Sequence, residues 1–410
     1  MRCGLMGEHL GHSFSAIIHK KLADYSYELY ELPPDRVEEF VKNSGLDAFN
    51  VTIPYKKAVM PYLDRISDKA QRIGAVNTVV RGEGGELVGY NTDYFGFEQT
   101  VRRLGASVRD KKALILGSGG ACATVRAVLT DMGAETVVIG RRLENNYENI
   151  SRHGDARIIV NTTPVGMYPE CGESPVRLSD FPLCEAVIDL IYNPSRTALL
   201  LEAERLGIPY MNGLYMLVAQ AQRACELFTG EAADSSVIGR IVSDISFDTQ
   251  NIILIGMPGC GKSVVGRKIA ELLGRPFLDA DGEFLKMHGI TPAEAIATLG
   301  EEKFRDFEHK TLSELCRESG AVIATGGGAV TYAENYGVLR QNGTVVYLRR
   351  ELSRLSTAGR PLSQRDGVEA LYESRRGLYE HFAHIALDST EDIALTAELI
   401  IEKIKESLKK

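Results

Sequence analysis

The sequence lacks any apolar run of the roughly 18 residues from which a membrane-spanning helix is built. Its first seven residues also lack an apolar stretch long enough for a signal peptide, and the charged residue Glu8 follows them directly. The seven cysteines include no C-x-x-C pair, and their odd number is typical of free thiols in a reducing compartment. We therefore expect a cytoplasmic chain that has no membrane partner.

An excess of positive charge is absent as well. The chain has 47 Lys and Arg residues against 55 Asp and Glu residues, which gives a net charge of −8. Nucleic-acid-binding proteins usually present a basic domain or stripe, and this sequence has neither. We expect small-molecule substrates and no nucleic-acid partner. Any anionic substrate would be held by a few well-placed lysines and arginines rather than by the overall field. The sequence leaves the oligomeric state open.

The pattern of apolar residues indicates an α/β protein. A chain of 410 residues is long enough for two or three domains of ordinary size. Short runs rich in Val and Ile read as buried parallel strands, and longer helical patterns separate them. Thr291, Pro292 and Glu294 form a typical helix start, with Thr291 as the N-cap. The predicted strands are residues 113–116, 136–139, 158–160, 187–189, 252–255, 322–324 and 345–348.

Two glycine-rich turns each follow a predicted strand and precede a predicted helix. They lie at residues 117–120 (GSGG) and 256–263 (GMPGCGKS). Turns of this kind bind nucleotide phosphates, so two turns predict two α/β modules on one chain. Polar residues interrupt the apolar pattern near 243–251, and we place the module boundary there.

The second turn fits the pattern G-x-x-x-x-G-K-S. Its glycines allow backbone N–H groups to curl around phosphate oxygens, while Lys262 would contact the β- and γ-phosphates and Ser263 would bind Mg²⁺. Asp279 and Asp281 follow a short apolar run, and strand spacing would point both carboxylates the same way. One would hold Mg²⁺ or its water, and the other would orient or deprotonate an accepting hydroxyl group.

Arginines and a triple glycine accompany this phosphate loop. Arg305, Arg360 and Arg375 suit a bound carboxylate, because a guanidinium meets two oxygens at once. With Gly326–Gly327–Gly328, the pattern over residues 251–410 resembles the shikimate kinases. That resemblance implies a Mg²⁺ site at Ser263 and Asp279. It places Arg360 on a mobile lid that closes over ATP. It leaves open whether Asp279 or Asp281 accepts the proton. It implies shikimate contacts from Asp281, Arg305, Gly327, Gly328 and Arg375. It implies ATP contacts from Gly259, Cys260, Gly261, Lys262, Ser263, Val264 and Arg360.

The first glycine turn is a weaker signal by itself. Cys122 stands where the usual dinucleotide-binding pattern has its last glycine. The next predicted strand is followed by Arg141 and Arg142, at the place where an NAD-binding fold usually has an acidic residue. Two arginines suit a 2′-phosphate instead, so we predict NADP(H). The predicted cofactor contacts are Gly117, Ser118, Gly119, Gly120, Ala121, Arg141 and Arg142.

Polar clusters upstream of this turn suit a carbonyl reduction on a polyhydroxylated acid. Lys56 could protonate the developing alkoxide, and Asp93 could hold the same hydroxyl group and tune the lysine. Residues 12–15, 50–56, 74–78, 91–93, 117–121, 161–167, 189–194 and 212–220 together resemble segments of the shikimate dehydrogenases, over nearly all of residues 1–245. The resemblance makes Lys56 and Asp93 catalytic. It implies shikimate contacts from Ser13, Ser15, Thr52, Asn77, Asp93, Tyr192 and Gln220.

This sequence departs from the dehydrogenase pattern in three places. Phe14 and Ala16 replace a common Lys and Pro, which could alter the local shape around the two serines. Gly140, Arg141 and Arg142 replace a more usual Asn-Arg-Thr. The stretch between residues 142 and 157 is short for the usual helix and strand, so we expect a trimmed NADP domain.

Together the two resemblances predict a two-domain dehydrogenase with a Rossmann-like NADP domain, followed by a P-loop kinase domain whose parallel sheet is flanked by helices. Residues 1–97 and 212–245 would bind shikimate, residues 98–211 NADP, residues 246–250 would be a linker, and residues 251–410 the kinase. The predicted reactions are NADPH-dependent reduction of 3-dehydroshikimate and Mg·ATP-dependent phosphorylation of shikimate.

Two other interpretations fit parts of the sequence. One is an NAD-dependent quinate/shikimate dehydrogenase joined to a kinase for another small alcohol, which Arg141, Arg142 and the Arg305/Arg375 pair disfavour. The other is a metabolite-sensing regulator built from degenerate enzyme modules, which would have lost catalytic groups. The sequence retains those groups: Lys56, Asp93, Lys262, Ser263, Asp279 and Asp281.

Overall fold

The computed structural model of the chain describes residues 1–11, 13–234, 236–355 and 367–409. It divides into two compact units: Met1–Tyr192 with Glu202–Val242, and Asn193–Leu201 with Ser243–Lys410. No helix in the described part of the chain combines the length and the apolar composition needed to cross a membrane. All seven strands predicted from the sequence are present, within one or two residues of their expected ends.

The first unit begins with a mixed six-stranded sheet. Its strand order is β2-β1-β3-β5-β6-β4, with β1 parallel to β2 and β3, and β5 antiparallel to β3 and β6. The carboxyl ends of β1 and β3 therefore lie side by side, which brings together the loops that follow them. The elements are β1 (Arg2–Gly7), α1 (Ser15–Leu22), β2 (Ser26–Glu31), α2 (Val37–Asn43), β3 (Ala48–Val51), β4 (Arg65–Ile66), α3 (Asp68–Ile73), β5 (Thr78–Arg81) and β6 (Leu87–Tyr90).

A second sheet in the same unit is entirely parallel, with the order β11-β10-β9-β7-β8. Continuous Val and Ile runs form its buried strands, as expected for a sheet covered on both faces. Only a 3₁₀ turn at Ile150–His153 separates β8 from β9, in line with the expected short connection. The elements are α4 (Asp93–Leu104), β7 (Lys112–Leu116), α5 (Gly120–Asp131), β8 (Glu135–Ile139), β9 (Ile158–Asn161), β10 (Ala186–Asp189), α6 (Ala198–Leu206), β11 (Tyr210–Met211) and α7 (Leu214–Thr229). Residues 198–201 of α6 belong to the second unit.

The second unit contains a five-stranded parallel sheet with the order β13-β14-β12-β15-β16. Thr291 and Glu294 form the capping box predicted for the start of α11. The strands are β12 (Asn251–Ile255), β13 (Phe277–Asp279), β14 (Val322–Ala324), β15 (Gly343–Arg349) and β16 (Ile385–Asp388). The helices are α8 (Ser236–Thr249), α9 (Lys262–Leu273), α10 (Ala280–His288), α11 (Pro292–Leu299), α12 (Glu301–Leu315), α13 (Asn335–Gln341), α14 (Val368–Phe382) and α15 (Ile393–Ser407). Residues 236–242 of α8 belong to the first unit.

The segment predicted as a linker is mostly helical. Helix α8 continues to Thr249 and β12 starts at Asn251, so residues 246–249 form the last turn of the helix. Phe247 explains the continuation, because its ring packs against the core under β12 and lies 4.6 Å from the Arg275 guanidinium. The finer division into the domains expected from the sequence stays a prediction.

Two candidate active sites

A cavity of about 500 Å³ in the first unit lies at the ends of β1 and β3. Loops after these strands, the start of α4, the loop after β10 and helix α7 all contribute to its wall. Every residue predicted to contact shikimate in the dehydrogenase lines this cavity, and so does Lys56. The predicted residues are Ser13, Ser15, Thr52, Lys56, Asn77, Asp93, Tyr192 and Gln220.

Lys56 and Asp93 form an ion pair in this cavity. The Lys56 Nζ lies 2.6 Å from the Asp93 Oδ2, and their side chains are 27% and 15% exposed. Asp93 is the first residue of α4, where the positive end of the helix dipole favours a carboxylate. The cavity therefore presents one ammonium group whose position is set by a fixed carboxylate.

Amide and hydroxyl groups form a continuous network beside this pair. Asn77 Nδ2 donates to the Thr92 Oγ1 at 3.1 Å, and the Thr92 backbone N–H donates to the Asn77 Oδ1 at 2.7 Å. Asn77 Nδ2 also lies 3.4 Å from the Gln220 Oε1. Because these partners fix the orientation of the Asn77 and Gln220 amides, the network can present defined donors and acceptors to ligand hydroxyl groups.

Asn50 and Tyr27 belong to this network but were not predicted as site residues. Asn50 lines the cavity and donates through Nδ2 to the Asn77 carbonyl oxygen at 3.2 Å and the Thr78 Oγ1 at 3.0 Å. The Tyr27 hydroxyl donates to the Asn50 Oδ1 at 2.7 Å. The position of Asn50 in the 50–56 cluster was a usable signal, whereas the Tyr27 contact depends on the pairing of separate strands.

The two serines lie at the start of α1. Ser13 Oγ donates to the Ser15 Oγ at 3.0 Å, and the Ser15 backbone N–H donates back to the Ser13 Oγ at 3.2 Å. The unusual Phe14 packs against Tyr192, with ring centroids 5.6 Å apart. Burial raises the pKa of Tyr192 above its usual value. With Phe14 packed against Tyr192, Ser13 and Ser15 both remain in the cavity wall. His12, part of the same sequence segment, lies outside the described residues.

The dinucleotide turn connects β7 to α5. Gly117 has a φ of +102°, and a Cβ there would lie 2.8 Å from the Thr163 Cγ2, so only glycine fits. Added Cβ atoms at Gly119 and Gly120 would meet no atom within 4 Å, which leaves room for a cofactor to approach the backbone. Ser118 and Ala121 complete the turn, and the N-terminus of α5 favours an anion there.

Arg141 and Arg142 lie directly after β8, the strand beside β7. Both side chains are exposed, and neither forms an ion pair with any described residue. A Cβ at Gly140 would lie 3.2 Å from the Ser118 Oγ, so the two loops are adjacent. A glycine turn, a helix N-terminus and two arginines together fit NADP(H) better than NAD(H).

The second unit contains a cavity of about 410 Å³ around its phosphate loop. Most residues predicted for ATP, Mg²⁺ and shikimate binding in the kinase line it. They are Gly259, Gly261, Lys262, Ser263, Val264, Asp279, Asp281, Arg305, Gly327, Gly328 and Arg375. Two predicted residues do not contribute to the described wall. The Cys260 side chain is 1% exposed and packs in the core beneath the loop. Arg360 lies outside the described residues.

The phosphate loop runs between β12 and α9. Gly256, Gly259 and Gly261 all have positive φ angles, of 145°, 83° and 103°, which side chains rarely tolerate. Lys262 is 8% exposed, and its Nζ donates to the carbonyl oxygens of Gly256 at 2.9 Å and Met257 at 3.1 Å. The loop therefore places a lysine ammonium beside the N-terminus of α9, as the motif predicts.

Asp279 and Asp281 reach the cavity by a different route from the predicted one. Strand β13 ends at Asp279, and α10 begins at Ala280, so the two carboxylates are not at strand spacing. Asp279 is the N-cap of α10, and its Oδ1 accepts a hydrogen bond from the Asp281 backbone N–H at 3.2 Å. This cap starts a helix at the position where the sequence suggested that the strand continues. Both residues still line the cavity because the first turn of α10 faces it.

The site fits Mg²⁺ at Ser263 and Asp279. Ser263 Oγ donates to the Asp279 Oδ2 at 2.6 Å, so a hydroxyl and a carboxylate oxygen lie together at the start of α9. These are hard oxygen donors of the kind that Mg²⁺ prefers, and Mg²⁺ completes its shell with water and phosphate oxygens.

A buried arginine pocket lies in the same cavity as the phosphate loop. Arg305 Nη1 is 2.5 Å from the Glu308 Oε2, with 7% and 6% of the side chains exposed. Arg375 Nη1 donates to the Gly327 carbonyl oxygen at 3.3 Å. A Cβ at Gly328 would lie 2.0 Å from the Arg305 Nη2, so only glycine leaves space for this guanidinium.

Glu308 was not predicted as a site residue. Burial raises its pKa, and nearby Asp281 acts in the same direction, while Arg305 and Arg375 oppose the shift. Its spacing of three residues from Arg305 on α12 was the available sequence signal. Glu308 holds the Arg305 guanidinium in one orientation. Arg305 and Arg375 can then donate hydrogen bonds to a carboxylate ligand.

Comparisons with known proteins match each unit to a different enzyme. A family model for the shikimate dehydrogenase substrate-binding domain matches residues 5–79, and one for shikimate kinase matches residues 258–409. The NADP(+)-dependent shikimate dehydrogenase of Caldanaerobacter subterraneus is 38% identical over 263 residues, which cover 57% of this chain and 94% of the relative.

Solved structures agree with the first of these matches. A chorismate mutase/shikimate 5-dehydrogenase fusion protein from Clostridium acetobutylicum is 37% identical with a TM-score of 0.56, covering 58% of this chain and 94% of that one. Shikimate 5-dehydrogenase from Thermus thermophilus, solved with NADP(H) and shikimate, is 33% identical with a TM-score of 0.53, covering 58% and 97%. The predicted Rossmann-like and P-loop folds are confirmed. The chain belongs to the shikimate dehydrogenase family in its N-terminal part and carries a shikimate kinase domain in its C-terminal part.

Proposed function

We propose that this chain catalyses two consecutive reactions, the reduction of 3-dehydroshikimate to shikimate with NADPH and the phosphorylation of shikimate at its 3-hydroxyl with ATP. The observation that carries the proposal is the presence of two complete sets of reactive groups, one in each unit. The product of the first reaction is the substrate of the second. For location we propose the cytoplasm, a reducing compartment that suits the seven free thiols.

In the dehydrogenase, Lys56 is the proton donor. NADPH supplies the hydride to the carbonyl carbon when it is bound. The negative charge that develops on the carbonyl oxygen takes a proton from the Lys56 Nζ, which Asp93 holds in place at 2.6 Å. The Asn77, Thr92 and Gln220 network positions the ring hydroxyl groups so that the carbonyl oxygen meets the lysine.

In the kinase, Asp281 is the proton acceptor. Both Asp279 oxygens are already engaged, one by Ser263 and one by the Asp281 backbone N–H. These two contacts support Asp279 as the residue that holds Mg²⁺, which would neutralise phosphate charge when it is bound. The shikimate 3-hydroxyl attacks the γ-phosphorus, the bond to the β-phosphate oxygen breaks, ADP leaves, and the hydroxyl proton passes to Asp281.

The remaining kinase residues bind and orient. Arg305 and Arg375 hold the shikimate carboxylate, and the backbone of Gly327 and Gly328 contacts the substrate beside them. Gly259, Gly261, Lys262 and Val264 surround the phosphate chain, and Lys262 turns from the loop carbonyls to the β- and γ-phosphates. Arg360 remains proposed as an ATP contact from the sequence alone.

The test measures each reaction separately on one purified preparation. NADPH oxidation is followed with 3-dehydroshikimate, then repeated with NADH and with quinate and NAD in the reverse direction. Shikimate 3-phosphate is quantified with shikimate, ATP and Mg²⁺. We expect turnover with NADPH and 3-dehydroshikimate, and phosphate transfer to shikimate. A preference for NADH and quinate, or no phosphate transfer, would overturn the proposed substrates.

Asp281→Asn separates the two reactions. This substitution should remove kinase turnover while leaving NADPH oxidation at its normal rate, because Asp281 belongs only to the second unit. Loss of both activities in folded protein would contradict two independent sites.

A further inference from the structure

We propose that Arg350 is a further nucleotide-binding residue of the kinase, which contacts the phosphate chain of ATP and ADP through its guanidinium. The inference rests on the kinase activity proposed above. Neither the phosphate-loop motif nor the arginine pattern of the sequence includes Arg350.

The sheet topology places Arg350 beside the phosphate loop. Strands β12 and β15 are parallel neighbours, with Ile255 opposite Tyr347. Their carboxyl ends therefore lie at the same edge of the sheet. A Cβ at Gly256 would lie 2.5 Å from the Leu348 carbonyl oxygen, which shows how closely the loop crosses the end of β15. Arg350 is the first residue after β15.

The guanidinium points at the anion-binding end of α9. Arg350 lines the kinase cavity, and its Nη1 lies 3.8 Å from the position of a Cβ on Gly261. Gly261 immediately precedes α9, whose N-terminal backbone N–H groups and dipole favour phosphate. A planar guanidinium at that end of the helix can donate to two phosphate oxygens at once.

The charges around Arg350 leave it available for a ligand. Its neighbours point elsewhere: Arg349 Nε lies 2.9 Å from the Asp388 Oδ1, and Arg354 pairs with Glu351 and Glu391. In the described part of the chain Arg350 itself has no ion pair or side-chain hydrogen bond, and it is exposed. The other cavity arginines, Arg305 and Arg375, are buried in the carboxylate pocket. Arg350 and Lys262 are therefore the cations of the described wall that serve the phosphate side.

Removal of this guanidinium should weaken nucleotide binding without changing the shikimate site. Since a hydrogen bond to a charged partner is lost, we expect the Kd for MgADP to rise about tenfold in Arg350→Ala, with a smaller rise in Arg350→Lys. The KM for shikimate should stay unchanged. Added salt weakens an exposed charge contact, so the difference in Kd between wild type and Arg350→Ala should be smaller at about 0.5 M KCl than at low salt.

The experiment is calorimetric titration of MgADP into the full chain, at low and high salt. Wild type, Arg350→Ala, Arg350→Lys and the matched control Arg349→Ala are compared, with dehydrogenase turnover as the check on folding. An unchanged Kd in Arg350→Ala would overturn the proposal. A Kd that rises as much in Arg349→Ala as in Arg350→Ala would also overturn it, because the loss would then reflect general surface charge. Wild-type chain that binds MgADP but does not phosphorylate shikimate would contradict the proposed function alone.

Discussion

The Lys56 ammonium and the Asp93 carboxylate lie 2.6 Å apart, although 37 positions separate them in the sequence. Lys56 follows β3 and Asp93 begins α4, so the mixed sheet brings the two residues together. The fold itself therefore forms this ion pair. The short distance between the two groups is the reason why we propose Lys56 as the proton donor.

Lys56→Ala should lower the kcat for 3-dehydroshikimate reduction by about 10²- to 10⁴-fold, because no other ammonium group lines the described wall of that cavity. The measurement is NADPH oxidation under saturating substrate. Shikimate phosphorylation by the same preparation is the control and should proceed at the wild-type rate. A variant that retains more than about a tenth of the wild-type kcat would contradict the assignment of Lys56 as proton donor.

Glu308→Gln should raise the kinase KM for shikimate and destabilise the second unit. The substitution leaves the buried Arg305 guanidinium without its closest carboxylate, a change that typically costs about 3–5 kcal/mol. Thermal unfolding and kinase kinetics measure the two effects. Glu301→Gln is the matched control, since Glu301 contacts the same guanidinium at 3.3 Å but is 39% exposed. If the two substitutions change the KM for shikimate and the thermal stability equally, the buried contact between Glu308 and Arg305 matters no more than the exposed contact of Glu301.

Arg141→Ala combined with Arg142→Ala should raise the KM for NADPH by about ten- to hundredfold, because contacts to a 2′-phosphate are charge-assisted hydrogen bonds. The KM for NADH, which lacks that phosphate, should change little. Steady-state kinetics with both cofactors give the comparison. If both KM values rise equally, the two arginines support the turn in general and do not recognise the phosphate.

His19 should remain neutral across the physiological pH range. It is 1% exposed and stacks on Tyr27 at 3.9 Å, and burial lowers its pKa from 6.5 to about 3. Between these two values the unfolded chain binds a proton that the folded unit does not. The stability contribution is therefore complete above pH 6.5 and falls as the pH falls through that window, by at most about 1.4 kcal/mol per pH unit.

Histidine NMR tests this prediction directly. The ring signal that disappears in His19→Phe should keep its neutral chemical shift from about pH 8 to about pH 5. A titration midpoint of the His19 ring near the ordinary histidine pKa would show that water reaches the imidazole. It would contradict the buried position of His19 described here.

Much of the fold and of both candidate sites could be predicted because the signals are local. Continuous Val and Ile runs gave the parallel strands, and the glycine turns at 117–120 and 256–263 lie between strand and helix as their motifs require. The residues expected at the shikimate site of the dehydrogenase and at the kinase site come from separate segments, yet all but Cys260 and Arg360 line the two cavities. These residues come together because ligand sites in α/β folds are built from the loops at the carboxyl ends of the strands.

The remaining features depend on tertiary contacts. Strand spacing was predicted for Asp279 and Asp281 and is wrong, because Asp279 caps helix α10, which starts at Ala280. Tyr27 reaches Asn50 only because β2, β1 and β3 are neighbours in that order. Arg350 meets the phosphate loop only because β15 pairs with β12. Phe247 extends α8 into the predicted linker through packing that no local rule reveals.

We expect this one chain to convert 3-dehydroshikimate to shikimate 3-phosphate. The most direct measurement is mass spectrometry of the product formed by a single purified preparation supplied with 3-dehydroshikimate, NADPH, ATP and Mg²⁺. We predict shikimate 3-phosphate, with one NADPH oxidised and one ATP consumed for each molecule formed. Accumulation of unphosphorylated shikimate, or a failure to oxidise NADPH, would contradict the claim.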